Sequence, residues 1–464
     1  MRALPLLGSQ APSGVFAHRS GRCIGVAEFL REAAALSARL PARAYVLNLC
    51  ADRYGFTVGF AAALLRRQVS LLPPNHTPDL VARLCKDFPD IYCLTDDSSA
   101  RAPVAGLEMV RFAAPSAATS SSSERMTIPD IPSQQTAVIA FTSGSTGEPV
   151  PYEKSWRTLV ASVRAELARL GLDNAGDMSL LGTVPPQHMY GLESTVMLAL
   201  QGGLAMHAGK PFYPADICSA LDELPRPRTL VTTPFHLRAL LADVATPPPV
   251  DLIVCATAHL PRTLAVEAEA RFDAPLHEVY GCTEAGQIAT RRPASGELWR
   301  PLPGISLHGN DALTWVQGAD MRAAYLLNDI IERTPAGDFH LLGRKSDLIN
   351  IAGKRTSLAH LNHHLNAIDG VRDGVFVVPA EDDEARSTRL TAYVVATPGV
   401  EAKAILCALR QRIDAAFLPR PLHLVSALPR NTTGKLPQHA LECMVPISSH
   451  VILDIDDIYK ILSA

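Results

Sequence analysis

The sequence predicts an α/β protein built on parallel strands with crossover helices, followed by a smaller α+β unit. Three observations carry that expectation. Short apolar runs at 45–49, 69–72 and 91–94 alternate with helical patterns at 54–67 and 77–86, and a chain that alternates in this way returns each strand to the same end of one sheet. The rhythm resumes at 137–141, with helix 155–170, strands 178–184 and 229–233, helix 234–242, strand 251–255, helix 262–272 and strand 276–280. Beyond about Gly343 the pattern changes to a helix at 357–368, strands at 371–378 and 390–396, a long helix at 401–417 and a strand at 422–426.

At 464 residues the chain is too long for one compact core and suits two or three domains. A net charge of -3 gives no electrostatic reason to expect nucleic acid or an anionic membrane as partner. The nine cysteines are scattered, without a C-x-x-C pair or zinc-ligand spacing, and read as buried thiols in a reducing compartment. The apolar run at the N-terminus is too short for a signal peptide, and no run of about eighteen apolar residues could span a bilayer, so a cytoplasmic protein is expected. Residues 113–125, rich in Ala and Ser, read as a solvated loop. Residues 447–464 switch to an Ile/Asp/Lys vocabulary, as either an added segment or a native helix.

The chemistry concentrates in a series of loops. In 137–150 a buried strand runs into Thr142, Ser143, Gly144, Ser145, Thr146 and Gly147. Glycines let successive N–H groups face one anion, and the hydroxyls add uncharged donors, so this turn suits phosphate. Downstream, in order, come 185–191 (PPQHMYG), 280–286 (YGCTEAG), Asn328-Asp329, 343–353 (GRKSDLINIAG) and 429–435 (PRNTTGK). The last is not a P-loop, because Pro429 stands where the first glycine is needed and no Ser or Thr follows Lys435.

That series resembles the adenylate-forming (acyl-activating) superfamily of acyl- and aryl-CoA ligases, peptide-synthetase adenylation domains and luciferases, over Ala137 to about Lys435. The resemblance implies a large N-terminal domain (1–342) with stacked αβαβα-type sheets and a β-barrel-like subdomain, a hinge (343–347) and a small mobile α+β lid (348–446). It implies ATP and Mg²⁺ as cofactors. The 142–147 loop would wrap the β and γ phosphates, Thr283 would contact the α-phosphate, Glu284 would ligate Mg²⁺, Tyr280 would stack on adenine, and Gly281 would belong to the nucleotide site. Asp329 would bind the ribose hydroxyls, assisted by Arg344, and His188 would stand beside the substrate carboxylate. Ala256, Thr257 and Ala258 would line the acyl pocket, Ser346 would be the hinge residue, and Gly353 would wall a pantetheine channel. Lys435, reaching from the lid, would bridge carboxylate and α-phosphate.

Three positions depart from the family pattern. Val150 stands where a phosphate-binding Lys is usual, with Lys154 either replacing it or lying solvated at a helix start. Leu327-Asn328 precede Asp329 where Thr-Gly is usual, and Ser346 replaces Asp or Lys. The wording around 141–149 and 351–358 is similar to ligases of bacterial aryl-polyene and xanthomonadin pigment clusters, which load hydroxybenzoates onto acyl carrier protein. The expected reaction is therefore activation of a carboxylic acid, such as 4-hydroxybenzoate, to an acyl-adenylate and its transfer to CoA or a carrier-protein thiol. A fatty-acyl ligase is the alternative within the class, and a non-catalytic adenylate-binding regulator the alternative outside it.

Overall fold

A computed structural model of the chain describes residues 2–8, 14–112, 127–143, 149–173, 178–310, 313–318, 320–321, 323–344, 348–351, 354–378, 390–430 and 436. Two large sheets dominate. The first has six strands in the order Pro149–Ser155, Thr136–Ser143, Val69–Leu72, Tyr45–Asn48, Ile91–Thr95, Met109–Arg111. All are parallel except Pro149–Ser155, which runs back along Thr136–Ser143.

The second sheet has nine strands in the order Arg300–Pro301, Gly286–Arg291, Leu276–Cys282, Leu252–Cys255, Arg228–Thr232, Ser179–Gly182, Ala205–His207, Val15–Arg19, Arg22–Gly25. Its six inner strands are parallel, and antiparallel strands close both edges.

Side-chain alternation explains why the sheets stack. In Thr136–Ser143, Val138 and Ala140 join the central core while Ile139 and Phe141 join an outer cluster with Val81 and Leu84. In Arg228–Thr232, Val231 faces the central core and Leu230 faces a cluster with Leu237 and Leu264. A strand buried on both faces needs cover on both sides. The covers are helices: Pro78–Asp87 outside the first sheet, Pro214–Asp222, Pro234–Asp243 and Arg262–Phe272 outside the second, and Val26–Arg39, Arg53–Leu65 and Trp156–Leu170 between the two. The helix Arg53–Leu65 is buried all round, as a middle layer requires. This is the expected αβαβα stack.

The expected barrel-like subdomain takes the form of a three-stranded sheet, Ile305–Asn310, Leu313–Gly318 and Tyr325–Leu326, beside the hairpin Asp329–Arg333/Phe339–Arg344. Among the described residues it does not close.

The α+β unit pairs Val371–Val377 antiparallel with Thr391–Ala396, which runs parallel to Leu422–Leu424. Leu361, Leu365, Phe376, Ile405 and Leu409 give it a core of its own. The helix expected over 401–417 stops after Ala402–Leu409, and a 3₁₀ turn follows at Ala415–Phe417. The side chain of Asp414 accepts from the N–H of Ala416 at 2.9 Å, so it caps a new turn instead of continuing the old one. The unit's Asp373 carboxylate accepts from Arg430 of the same unit at 2.8 Å through both oxygens and from Arg238 of the helix Pro234–Asp243 at 3.3 Å.

No described helix is long and apolar enough to cross a membrane. The cysteines are less uniform than expected: Cys50, Cys93 and Cys255 are buried, but Cys23 is exposed on the edge strand Arg22–Gly25 and Cys407 on the face of the helix Ala402–Leu409 away from the buried Ile405 and Leu409. The segments 113–125 and 447–464 lie outside the described residues.

Between the sheets, Glu166 of the helix Trp156–Leu170 is fully buried. The Ser194 hydroxyl donates to it at 2.7 Å, and Gln287 in turn donates to Ser194 at 2.9 Å. Burial pushes its carboxyl up from about 4.5 to about 7. Below the ordinary value both folded and unfolded chains hold the proton, whereas between the two values the unfolded chain ionises first. Stability is therefore lost as pH rises through that window. Glu166→Gln should raise the urea midpoint at pH 8 more than at pH 5. An equal shift at both pH values would contradict the burial argument.

Candidate active site

In the second sheet the parallel strands end together, and the segment after each of three of them carries the chemistry. Ser179–Gly182 leads to the 185–191 loop, Leu252–Cys255 to Ala256–Ala258, and Leu276–Cys282 to Thr283-Glu284. Open α/β sheets bind ligands at such carboxyl ends.

The 185–191 loop is a tight turn into a short helix, Met189–Gly191, that continues as a π-helix, Leu192–Met197. A side chain at Gly191 would collide with the Pro185 carbonyl, so the glycine permits the turn. The Tyr190 hydroxyl donates to the carbonyls of Val254 at 3.0 Å and Thr232 at 3.2 Å, seating the loop over two strand ends. The N–H of Tyr190 donates to Nδ1 of the half-buried His188 at 3.3 Å, which puts the ring proton of the neutral form on Nε2. From below, the fully buried Arg53 donates to the carbonyls of Gly182 at 2.7 Å and Val184 at 2.9 Å and to the Thr195 hydroxyl at 2.7 Å.

At the next strand end, Ala256 is buried and Thr257 and Ala258 are half-buried. Thr257 holds a φ of 86°, a conformation that costs a β-branched residue energy and that concentrates at ligand sites. Ala258 borders a cavity of about 560 Å³ whose far wall, including Phe376 and Arg430, belongs to the α+β unit.

Tyr280 does more than the sequence suggested. Its ring packs against Trp299 and Phe339 at centroid distances of 5.6 and 6.0 Å, and its hydroxyl donates to Asp329 at 2.6 Å. A charge-assisted bond this short fixes the carboxylate. Asp329 lies directly across from Arg344 in the hairpin register, and Leu327 just before it is buried. The apolar Leu327 therefore anchors the approach to Asp329 by packing. Gly281 is required by backbone contact, since a Cβ there would lie 2.5 Å from the Gly286 carbonyl oxygen and 3.0 Å from Gln287 Cα.

Thr283 and Glu284 are half-buried in the turn between Leu276–Cys282 and Gly286–Arg291. Burial first, then the Glu284 charge, pushes the adjacent Cys282 thiol up to about 12, so that cysteine is no nucleophile. A carboxylate beside a hydroxyl supplies hard oxygen donors, which fit a small divalent cation that takes its other ligands from water and phosphate. The described residues contain no cluster of three or more His, Cys, Asp or Glu that would cage a metal by themselves.

Lys154 falls inside the strand Pro149–Ser155, because Ser155 caps the following helix by accepting from the N–H of Thr158 at 3.2 Å. It is 3% exposed, and its ammonium donates to the Glu284 carbonyl. The reading of a solvated lysine at a helix start is thus corrected, the cause being the strand register. Val150 is 42% exposed.

Several expected residues lie outside the described part: Gly144, Ser145, Thr146, Gly147, Ser346, Gly353 and Lys435, together with the side chains of Thr142, Ser143 and Arg344. The described strands do bring Ser143 opposite Pro149 at the mouth of that loop. Sequence reasoning missed Arg53, Glu193, Trp299 and Phe339. The signal for the last two is aromatic residues at the strand ends facing Tyr280, and Arg53 and Glu193 gave none.

With this geometry in view, the family model described as "AMP-binding enzyme" matches residues 35–313. The 4-coumarate–CoA ligase of Rhodobacter capsulatus is 30% identical over 306 residues, covering 65% of this chain and 75% of that one. The 4-coumarate–CoA ligase of Halorhodospira halophila is 30% identical over 318 residues, covering 66% and 76%. Among solved structures, the o-succinylbenzoate CoA synthetase of Bacillus subtilis in complex with its acyl-adenylate intermediate has a TM-score of 0.77 at 18% identity, covering 96% of this chain and 99% of that one.

Gly281→Ala should cost about 1–3 kcal/mol, because backbone on the facing strand must move to admit the methyl group. A urea midpoint equal to that of the unaltered protein would contradict the close approach.

Proposed function

Because this chain belongs to the AMP-binding enzyme family and is an AMP-forming acid–thiol ligase, we propose that it activates a hydroxybenzoate or related aryl acid with ATP. The acyl group then passes to the thiol of CoA or of the phosphopantetheine on an acyl carrier protein. The observation that carries this reading is the Tyr280–Asp329 bond of 2.6 Å beside the Thr283-Glu284 turn. It offers a fixed carboxylate for two vicinal hydroxyls next to a hydroxyl and a carboxylate suited to a polyphosphate and its cation. Support for an aryl acid comes from the relatives, two of which are named for 4-coumarate.

In this reading a carboxylate oxygen of the acid attacks the α-phosphorus of ATP and pyrophosphate leaves. The thiol sulfur then attacks the acyl carbon, its proton is lost, and AMP departs with the oxygen it gained. Asp329 holds the ribose, Thr283 donates to the α-phosphate, and His188 presents Nε2–H to the acid. Glu284 is assigned to Mg²⁺, which supplies charge neutralisation for the triphosphate when bound. Thr142 to Gly147 hold the β and γ phosphates, Gly281 admits the adenine, and Arg344 assists at the ribose. Positioning and electrostatics suffice for such chemistry.

The domain division at 343–347, Ser346 as the hinge residue, Lys435 as the lid residue that bridges carboxylate and phosphate, and Gly353 beside the thiol arm are proposed on the resemblance. Ala256, Thr257 and Ala258 are assigned to the acyl pocket.

Tyr280→Phe keeps the ring packing and removes the donor to Asp329. The KM for ATP should rise roughly tenfold, the equivalent of about 1.4 kcal/mol, with little loss of thermal stability. An unchanged KM would detach the pair from nucleotide binding.

The function itself is tested by acid-dependent ATP–pyrophosphate exchange. Exchange with 3- or 4-hydroxybenzoate should exceed exchange with octanoate, because a short pocket rejects a chain by clash more strongly than it rewards added methylenes. Preference for the fatty acid would replace the aryl assignment with the fatty-acyl one. No exchange with any acid, while ATP still binds, would favour a non-catalytic adenylate-binding role.

A further inference from the structure

The ammonium of Lys154 sits where three of the chemistry-bearing segments meet. Its own strand, Pro149–Ser155, leaves the loop expected to hold phosphate. Its hydrogen bond goes to the carbonyl of Glu284 in the 283–285 turn. The Glu193 carboxylate, 4% exposed on the π-helix that continues from His188, faces it as a buried countercharge. The Tyr325 ring lies 5.6 Å below the ammonium.

Glu193 is itself fixed. The Ser162 hydroxyl donates to it at 3.0 Å, and the place where a Cβ on Gly286 would stand is 2.9 Å from Glu193 Oε1. Gly286 has a φ of 82°, so a glycine there both makes the turn and leaves room for the carboxylate. The turn carrying Thr283 and Glu284 is thus held at Glu284 by the lysine and flanked at Gly286 by the Glu193 carboxylate.

Burying an ammonium is costly unless acceptors are fixed around it, and a residue on the surface at this position would avoid that cost. Holding a phosphate is not the return for it, because the charge is buried and committed to the Glu284 carbonyl. We propose that Lys154 is a positioning residue: it clamps the Glu284 carbonyl against the strand leaving the phosphate loop and so sets where the Glu284 carboxylate stands for the cation that accompanies ATP. The inference rests on Glu284 as the cation ligand. Partners that orient a ligand in this way typically contribute about 10–100-fold to metal affinity.

The test reads ATP affinity by calorimetry with and without Mg²⁺, in the absence of acid, so that no turnover enters. In the unaltered protein Mg²⁺ should strengthen ATP binding, and Glu284→Gln should abolish that gain. Lys154→Met should cut the gain by about tenfold or more while Mg²⁺-free ATP affinity stays within about twofold. Lys154→Met with Glu193→Gln removes the stranded carboxylate, so it should recover thermal stability without recovering the gain. That double variant also serves if Lys154→Met alone fails to fold. A full Mg²⁺-dependent gain in the double variant, with Glu284→Gln still defective, would overturn the positioning role and leave Lys154 a structural residue. A full gain in Glu284→Gln would instead overturn the assignment of Glu284, and this inference with it.

Discussion

An ammonium that is 3% exposed must be answered by acceptors fixed in the protein, and at Lys154 those acceptors belong to other segments. The strand that leaves the phosphate-loop candidate, the π-helix behind His188 and the Thr283-Glu284 turn cannot drift apart without stranding a charge. A second buried carboxylate, Glu166, couples the same π-helix to the strand Gly286–Arg291 through Ser194 and Gln287. The central layer between the two sheets is therefore apolar in bulk but polar where it supports the strand ends.

The main elements were legible because their side chains alternate or recur at helical spacing. Leu230 and Val231 face opposite layers, as do Ile139 and Val138, so near-continuous apolar runs announced doubly covered strands. The antiparallel edges were not legible. Pro149–Ser155 carries too many polar residues to read as a strand, so the alternative of a solvated Lys154 at a helix start has the wrong element and the wrong face. The 401–417 helix was overextended because apolar spacing continues past Leu409, while the cap that ends it depends on one Asp.

At the candidate site, the residue types were legible and their partners were not. Motif order pointed to Tyr280 and Asp329, but nothing in a span of 49 positions says that the hydroxyl of one holds the carboxylate of the other. Leu327 departs from the family pattern ahead of Asp329, yet it is buried and anchors that segment by packing. The bonds from Arg238 and Arg430 to Asp373 likewise join motifs and elements that sequence spacing cannot relate. Local pattern reports which backbone a segment adopts. Which charges meet is decided by the stack of layers.

The most direct test of acid activation follows the oxygen atoms. An aryl acid labelled with ¹⁸O in its carboxylate is supplied with ATP and the acceptor thiol, and the nucleotide and phosphate products are analysed by mass spectrometry. Attack of the carboxylate on the α-phosphorus predicts one ¹⁸O in AMP and unlabelled pyrophosphate. Label in inorganic phosphate together with ADP would contradict the account, because the acid would then have attacked the γ-phosphorus.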